Sequence, residues 1–308
     1  MLRALWVLAV CCLAPGGALA TDLQRLAPGV YVSLAKGYDA AEDNAGVVVN
    51  AGVLVGSEGV VVIDPGPSAA AGKALLREIR RVTRKPVVAV IATHPHPENV
   101  LAAASLMGPS TVLIGHARTY ALMRDRCEDC FARLSAMIGE RHLVGTDIVL
   151  PDQTVLGPEV DRRLGGRDLR LLHLGWGHTA GDLAVLDVTS GTLFAGGLVS
   201  NRVVPDMREA DTLGWISALI GLSQVPAKRV VPAQGAVGPP SVIGEFRGYL
   251  ESLLLLVRRP YDEHLSVFDV LADGELPDYR DWVRYADAHL LNIQHVYSEL
   301  EREDFRSR

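Results

Sequence analysis

Ile91-Ala92-Thr93-His94-Pro95-His96-Pro97-Glu98-Asn99, together with Gly175-Trp176-Gly177-His178-Thr179-Ala180-Gly181-Asp182, decides how the rest of this chain is read. Residues 86–92 are a continuous apolar run of strand type, so His94 and His96 fall on the loop just past a buried strand. Such a loop stands on a rigid floor and stays open to solvent. Alternate side chains of an extended backbone share a face, so His-x-His presents two imidazoles on one side. His178, framed by glycines, supplies a third. Three neutral imidazoles fill three corners of a zinc tetrahedron and leave the fourth to water, whose pKa then falls to about 7. Alone, His-x-His is also compatible with an ordinary surface loop; His178 is what turns the pair into a candidate metal set.

Working outward, residues 30–34, 46–55 and 59–63 are valine-rich and bounded by Gly, Asn and Asp, which predicts strands. Residues 69–81 carry helical spacing. Downstream, the spacing predicts a short helix over 98–107, a strand over 111–114 and a long helix over 117–138. A second set follows: strands over 168–173, 183–187 and 193–195, a helix over 212–222 and a buried strand over 229–231. From about residue 240 to 308 the chain reads as amphipathic helix. Two successive halves of this kind predict an α/β fold, with two mixed sheets packed face to face and helices outside. No short repeat or low-complexity linker divides residues 21–308.

Residues 1–20 carry one early positive charge, Arg3, an apolar stretch over 4–13 and Ala18-Leu19-Ala20 before Thr21, the pattern of a cleavable secretory signal. The apolar stretch is shorter than the roughly 20 residues a bilayer core requires. The mature chain is therefore expected to begin near Thr21, to carry no membrane span and to be periplasmic or secreted, with a retained N-terminal anchor as the alternative. Loss of Arg3 moves the formal charge from −6 to −7. Lys and Arg are scattered without aromatic interleaving, which argues against a nucleic-acid surface, and a small-molecule substrate is the expected partner. Outside residues 1–20 the cysteines are Cys127 and Cys130, in Cys127-Glu128-Asp129-Cys130. In an oxidising compartment a short loop disulfide is the first reading. A free pair and a redox centre are the alternatives, the latter disfavoured because such a centre is normally read near a βαβ pattern whereas this pair lies within a helical-looking segment. The remaining histidines, His116, His142, His173, His264, His289 and His295, lack ligand spacing and are assigned to surface or core.

The ordered set Ile63-Asp64-Pro65-Gly66, Thr93-His94-Pro95-His96, Gly177-His178-Thr179-Ala180-Gly181-Asp182, Phe194-Ala195-Gly196-Gly197 and Val231-Pro232-Ala233-Gln234-Gly235 resembles the metallo-β-lactamase superfamily over about residues 30–234. Within that superfamily the N-terminal segment, the cysteine pair and the C-terminal run Asn292-Ile293-Gln294-His295-Val296-Tyr297 are most similar to the exported quinoprotein relay system zinc metallohydrolases. The resemblance implies an αββα sandwich with a metal cleft at one edge between the sheets. It also implies a setting near periplasmic quinoprotein or sulfur-compound oxidation, with a partner from such a system.

The superfamily's first motif usually reads His-x-His-x-Asp-His; here its last two members are Glu98 and Asn99. Gly197 stands where a bridging Asp is usual and Gln234 where a terminal His is usual. The expectation is therefore one zinc ion on His94, His96 and His178, with the second metal position lost. Glu98 is the catalytic candidate, as base or water-orienting group, although its extra methylene could also carry it past the metal. Asp64 and Asp182 are candidate supports for the ligand loops or simple turn residues. Asn99 and Gln234 could donate hydrogen bonds to a substrate oxygen or be relics. The overall reading is a metal-dependent hydrolase of an unidentified small substrate. Its rival is a catalytically silent binding protein on the same fold. An iron oxygenase needs two His and a carboxylate, and Gly197 removes the carboxylate expected for it.

Overall fold

A computed structural model describes residues 22–307, so the expected signal over 1–20 lies outside the described residues. Seven strands form the first sheet in simple chain order: β1 (Leu23–Ala27), β2 (Val30–Ser33), β3 (Ala51–Val55), β4 (Val60–Ile63), β5 (Val87–Ile91), β6 (Val112–His116) and β7 (Gln153–Val155). β1 to β4 pair antiparallel and β4 to β7 parallel. Parallel neighbours need long crossovers, here containing α1 (Ala69–Val82), the single turn α2 (Pro97–Val100) and α3 (Ala117–Ile138).

The second sheet holds β8 (Glu159–Leu164), β9 (Arg167–Leu172), β10 (Ala184–Asp187), β11 (Thr192–Ser200) and β12 (Arg229–Gln234), in the order β12-β11-β10-β9-β8. Only β11 and β12 are parallel, joined through α4 (Thr212–Leu222). Helices α5 (Ser241–Asp262), α6 (Val267–Asp273) and α7 (Tyr285–Ser307) complete the chain.

The central strands are apolar on both sides because both faces are covered. Val61 and Ile63 of β4 and Ala89 and Ile91 of β5 meet Leu171, Val185, Phe194 and Val231 of the opposite sheet. Their alternates Val60, Val62 and Val90 turn outward to Leu75 and Ile79 of α1 and Met123 and Leu134 of α3. On the far side Leu186, Leu193 and Ala195 pack under Trp215 of α4, Phe246 of α5 and Ile293 of α7. The result is helix, sheet, sheet, helix, the four-layer α/β sandwich expected. The C-terminal helices share the second sheet's core, and no helix among the described residues is long and apolar enough to cross a membrane.

Several local expectations change. Residues 46–50 are loop and not strand, and that loop borders the cleft described below. Residues 98–107 break into α2 and a separate 3-10 turn, Ala103–Leu106. β11 runs on to Ser200, well past residue 195. β8, the sequence Glu-Val-Asp-Arg-Arg-Leu, lacks the apolar alternation that marks a strand, because it is an exposed edge held by its register with β9. Cys127 and Cys130 lie one turn apart on α3 with both thiols free, so the loop disulfide expected first does not form; the segment is helix.

Candidate metal centre

His94 follows β5 by three residues and is 2 % exposed, while His96 caps α2, whose first residue is Pro97. Pro97 suits that position because it lacks only an N–H that the helix start leaves unpaired. His178 comes from the loop between β9 and β10. The two sheets thus bring the three rings together, with centroids 4.9, 5.1 and 4.7 Å apart. One nitrogen from each lies within 4.8 Å of the others, and Nε2 of His178 is 3.2 Å from Nδ1 of His96. Bonds of about 2.0–2.1 Å in a tetrahedral zinc site set ligand nitrogens about 3.3 Å apart, so this edge already has zinc spacing.

Protonation suits the same role. Burial, together with the neighbouring His96 and His178, holds His94 well below its ordinary pKa. Burial and His96 bring His178 down to about 3 against the opposing pull of Asp206 and Glu209. Both rings are thereby neutral, as ligands must be. Burial alone would lower His96 too, but Glu209, Glu98 and Asp206 outweigh it and raise its pKa.

Asp64 acts on His94 through an intermediary. Its carboxyl accepts from the Thr93 N–H at 2.9 Å and from the Thr93 hydroxyl at 2.7 Å, and Thr93 Oγ1 lies 2.9 Å from His94 Nδ1. When Asp64 is ionised the hydroxyl's one proton points to it, so Oγ1 can only accept from His94. That places the His94 proton on Nδ1 and leaves Nε2 bare. Asp64 reaches Thr93 from a left-handed backbone, φ 50°, a conformation that costs of order 1–3 kcal/mol outside glycine and persists where surroundings enforce it. Burial pushes its carboxyl up to about 7 against the Thr93 hydrogen bonds.

Asp182 accepts from the Thr179 N–H at 3.1 and 2.9 Å and from the Thr179 hydroxyl at 2.6 Å, bracing the turn that carries His178. Burial pushes it, too, up to about 7.

Gly196 and Gly197 let the rings settle over β11. A Cβ on Gly197 would stand 2.6 Å from His178 Cδ2 and 3.2 Å from His94 Cε1; one on Gly196, at φ 53°, would strike Thr93 at 2.5 Å. With the histidines so placed, the position that would carry a bridging carboxylate has no room for a side chain. Asn99 is fully buried and borders the cavity. It stands close enough to Asp64 to favour the ionised carboxyl, yet neither of its amide atoms completes a hydrogen bond. His178 Nδ1 is likewise buried, with the backbone of Asp206 close enough to favour the protonated ring but short of full hydrogen-bond geometry. Gln234 spends both amide hydrogens on the 36–50 loop, at Tyr38 O (2.8 Å) and Val48 O (3.0 Å). Its donors are therefore unavailable to a substrate, contrary to one expectation, and only its Oε1 is free to face the cleft.

Glu98 Oε1 is 3.7 Å from His96 Nδ1, at the mouth of the triad. Sequence reasoning missed the carboxylate on the other side of the ring: Glu209 Oε2 lies 3.7 Å from His96 Nε2. Glu209 is in turn 3.6 Å from Arg126, and its carbonyl accepts from the exposed Trp176 Nε1 at 2.8 Å. Asp206, paired with Arg208 and held well below the usual carboxylate range despite burial, completes this wall. Asp206, Arg208 and Glu209 sit in the β11–α4 loop, where no fixed spacing from the histidines could flag them. All of these residues except Asp64, Thr93, Trp176, Thr179, Asp182 and Gly196 border one cavity of about 640 Å³. Of the remaining histidines, His116 and His173 stack at 3.7 Å, and burial with His173 brings His116 down to about 4. Among the described residues His94, His96 and His178 are the one group able to hold a metal.

The Lactamase_B family model, metallo-beta-lactamase superfamily, matches residues 45–262. The chain belongs to the metallo-β-lactamase superfamily. Solved superfamily folds agree: a metallo-beta-lactamase from Pontibacter korlensis aligns with TM-score 0.62 at 23 % identity, over 75 % of this chain and 99 % of that one. The sec-alkylsulfatase Pisa1 from Pseudomonas sp. aligns with TM-score 0.71 at 15 % identity, over 91 % of this chain and 50 % of that one. The second match is too broad to leave out the C-terminal helices. A curated relative, the linear primary-alkylsulfatase of Pseudomonas sp. (strain ATCC 19151), is 31 % identical over 64 residues, 21 % of this chain and 12 % of that protein. The chain thus spans about an eighth of that relative's length. Within the superfamily, whose members bind metal ions, the three-histidine cluster is the position at which this chain could hold one.

Proposed function

We propose that this chain is an exported hydrolase working with a single zinc ion on His94, His96 and His178. The observation that carries the reading is the convergence of three imidazole nitrogens within 4.8 Å at the floor of a large cleft, two of them held neutral by burial. Zinc bound there would supply a hydroxide at neutral pH and a Lewis acid for a carbonyl, phosphoryl or sulfuryl oxygen. The chain's own residues supply the rest. Glu98, 3.7 Å from the His96 nitrogen that faces the triad, takes the proton of the attacking water. Thr93 and Asp64 fix the His94 tautomer, Glu209 steadies the far nitrogen of His96, and Asp182 holds the His178 turn. Such partners orient ligands and tune their basicity. Export is supported by the pattern of residues 1–20, and a periplasmic oxidation system remains its proposed setting.

The test is hydrolysis of 4-nitrophenyl acetate and 4-nitrophenyl sulfate by zinc-loaded and chelator-stripped protein. The loaded protein is expected to turn over at least one of them, and Glu98→Gln to lower kcat by about 10²–10⁴, the usual range for a lost general base, with zinc affinity kept. A rate indifferent to chelator, or to Glu98→Gln, overturns the reading. The absence of both hydrolyses alongside retained ligand binding would favour the silent binding protein, for which the closed Gly197 position and the committed Gln234 amide speak.

A further inference from the structure

We infer that the cleft takes a small substrate bearing a second, uncleaved anionic group, which Arg126 and Arg133 of α3 receive. This rests on the hydrolase reading for the cleaved bond, but the anion subsite stands on separate residues.

Arg126, Cys130, Arg133 and Met137 all border the cavity. Their spacings of four, three and four residues put them on one helix stripe, so α3 lays a cationic face along one wall. Two arginines seven residues apart are about 10 Å apart along a helix axis, within reach of one oxyanion between them. The cavity's other arginines are committed. Arg208 is paired with Asp206 at 2.8 Å, and Arg284 with Asp39 at 2.8 Å. Arg126 has only a loose contact, 3.6 Å to Glu209. For Arg133 the polar contact is the Cys130 sulfur, 3.3 Å from Nη2, with no carboxylate in ion-pair range among the described residues. A protein of net charge −6 has thus left cationic capacity unspent on the wall of its principal cleft.

The position fixes what the anion is. Arg126 reaches the triad only through Glu209, which itself stands 3.7 Å from His96, and Arg133 lies about two turns further along α3. The anion they bind is therefore displaced from the bond to be cleaved. Asn99 borders the same cavity, but its buried amide is turned to Asp64, so the anion subsite rests on the two arginines alone. Val48, Val49 and Met137 line the cleft for the apolar link between the two groups. Carboxylate and sulfonate share the needed chemistry, since planar guanidinium forks bind either through paired N–H groups.

The test uses 4-nitroanilides whose cleavage, if any, is followed separately by the absorbance of released 4-nitroaniline, so that binding is read apart from catalysis: N-(4-nitrophenyl)succinamic acid, its sulfonate counterpart, and neutral N-(4-nitrophenyl)butyramide, titrated calorimetrically into zinc-loaded protein. The wild type is expected to bind at least one anionic amide about tenfold or more tightly than the neutral one. The ratio between the two anions tells which headgroup is preferred. Arg133→Gln and the double variant Arg126→Gln/Arg133→Gln should erase the preference, leaving neutral binding and thermal stability unchanged because both side chains are exposed. Equal affinities in the wild type, no binding of either anion, or a preference that survives the double variant overturns the inference. Anion preference in a protein that hydrolyses nothing would instead sink the hydrolase reading and leave the subsite standing.

Discussion

Thr93 carries more of the site than its plain character suggests. Its hydroxyl is the single link between the buried Asp64 and the ring of His94, and its main-chain N–H holds the same carboxyl. Thr93→Val keeps the shape and removes the link. The expected outcome is a loss of zinc affinity of about 10–100-fold, the usual effect of removing a ligand's outer partner. A stability loss of about 1–3 kcal/mol should accompany it, from the hydrogen bond withdrawn from a buried carboxyl. Competition with a chromophoric chelator and thermal melts check both; unchanged zinc affinity would mean that Asp64 only braces its turn. The ligands themselves were legible in the sequence because their spacing follows from backbone periodicity. Asp64 was legible as a support but not its route through Thr93, since a left-handed backbone aims the side chain and no pattern encodes that. Gln234 looked free to meet a substrate because only the folded 36–50 loop shows where its hydrogens go.

Among elements, the joint between the two sheets depends on β9 and its neighbours. Arg167, at the start of β9, binds the fully buried Asp187 through two parallel hydrogen bonds of 2.7 and 2.6 Å. It also reaches Val55 O at 3.3 Å and Pro28 O at 3.4 Å in the first sheet. Although burial alone would raise it, hydrogen bonds from Arg167 and Ser190 depress the pKa of Asp187. A carboxyl depressed on folding stabilises above its unfolded pKa of about 3.9, and that contribution is lost as pH falls through the folded value. Asp187→Asn is therefore expected to cost about 3–5 kcal/mol at pH 7, as for a buried pair left with one charge. The gap from wild type should be constant down to about pH 5 and narrow as the pH drops below 4. Melting temperatures across that range decide it, and a gap that does not change with pH would contradict the assignment. Helices α3 and α4 were readable to the residue because their apolar spacing is uninterrupted. β8 was not, because an edge strand with both faces near water needs no alternation, and the sequence pattern marks β11 only over 193–195 because Gly196-Gly197 carries no strand-type side chains.

At the scale of the molecule, the sandwich was recoverable from sequence since every central strand is covered on both faces and so reads as an apolar run. The cleft was recoverable only as far as its histidine floor. Its walls come from α3 and from the β11–α4 loop, segments brought together by the fold rather than by any motif, and they supply Arg126, Arg133, Asp206 and Glu209. The packed rings over Gly197 also leave no space for the carboxylate that a paired-metal site would need. Elemental analysis of protein purified from its native compartment and freed of loosely held ions by gel filtration measures this directly. One zinc per chain, lost on His96→Ala, is the expected result; no metal, or two ions per chain, would contradict the single-ion centre.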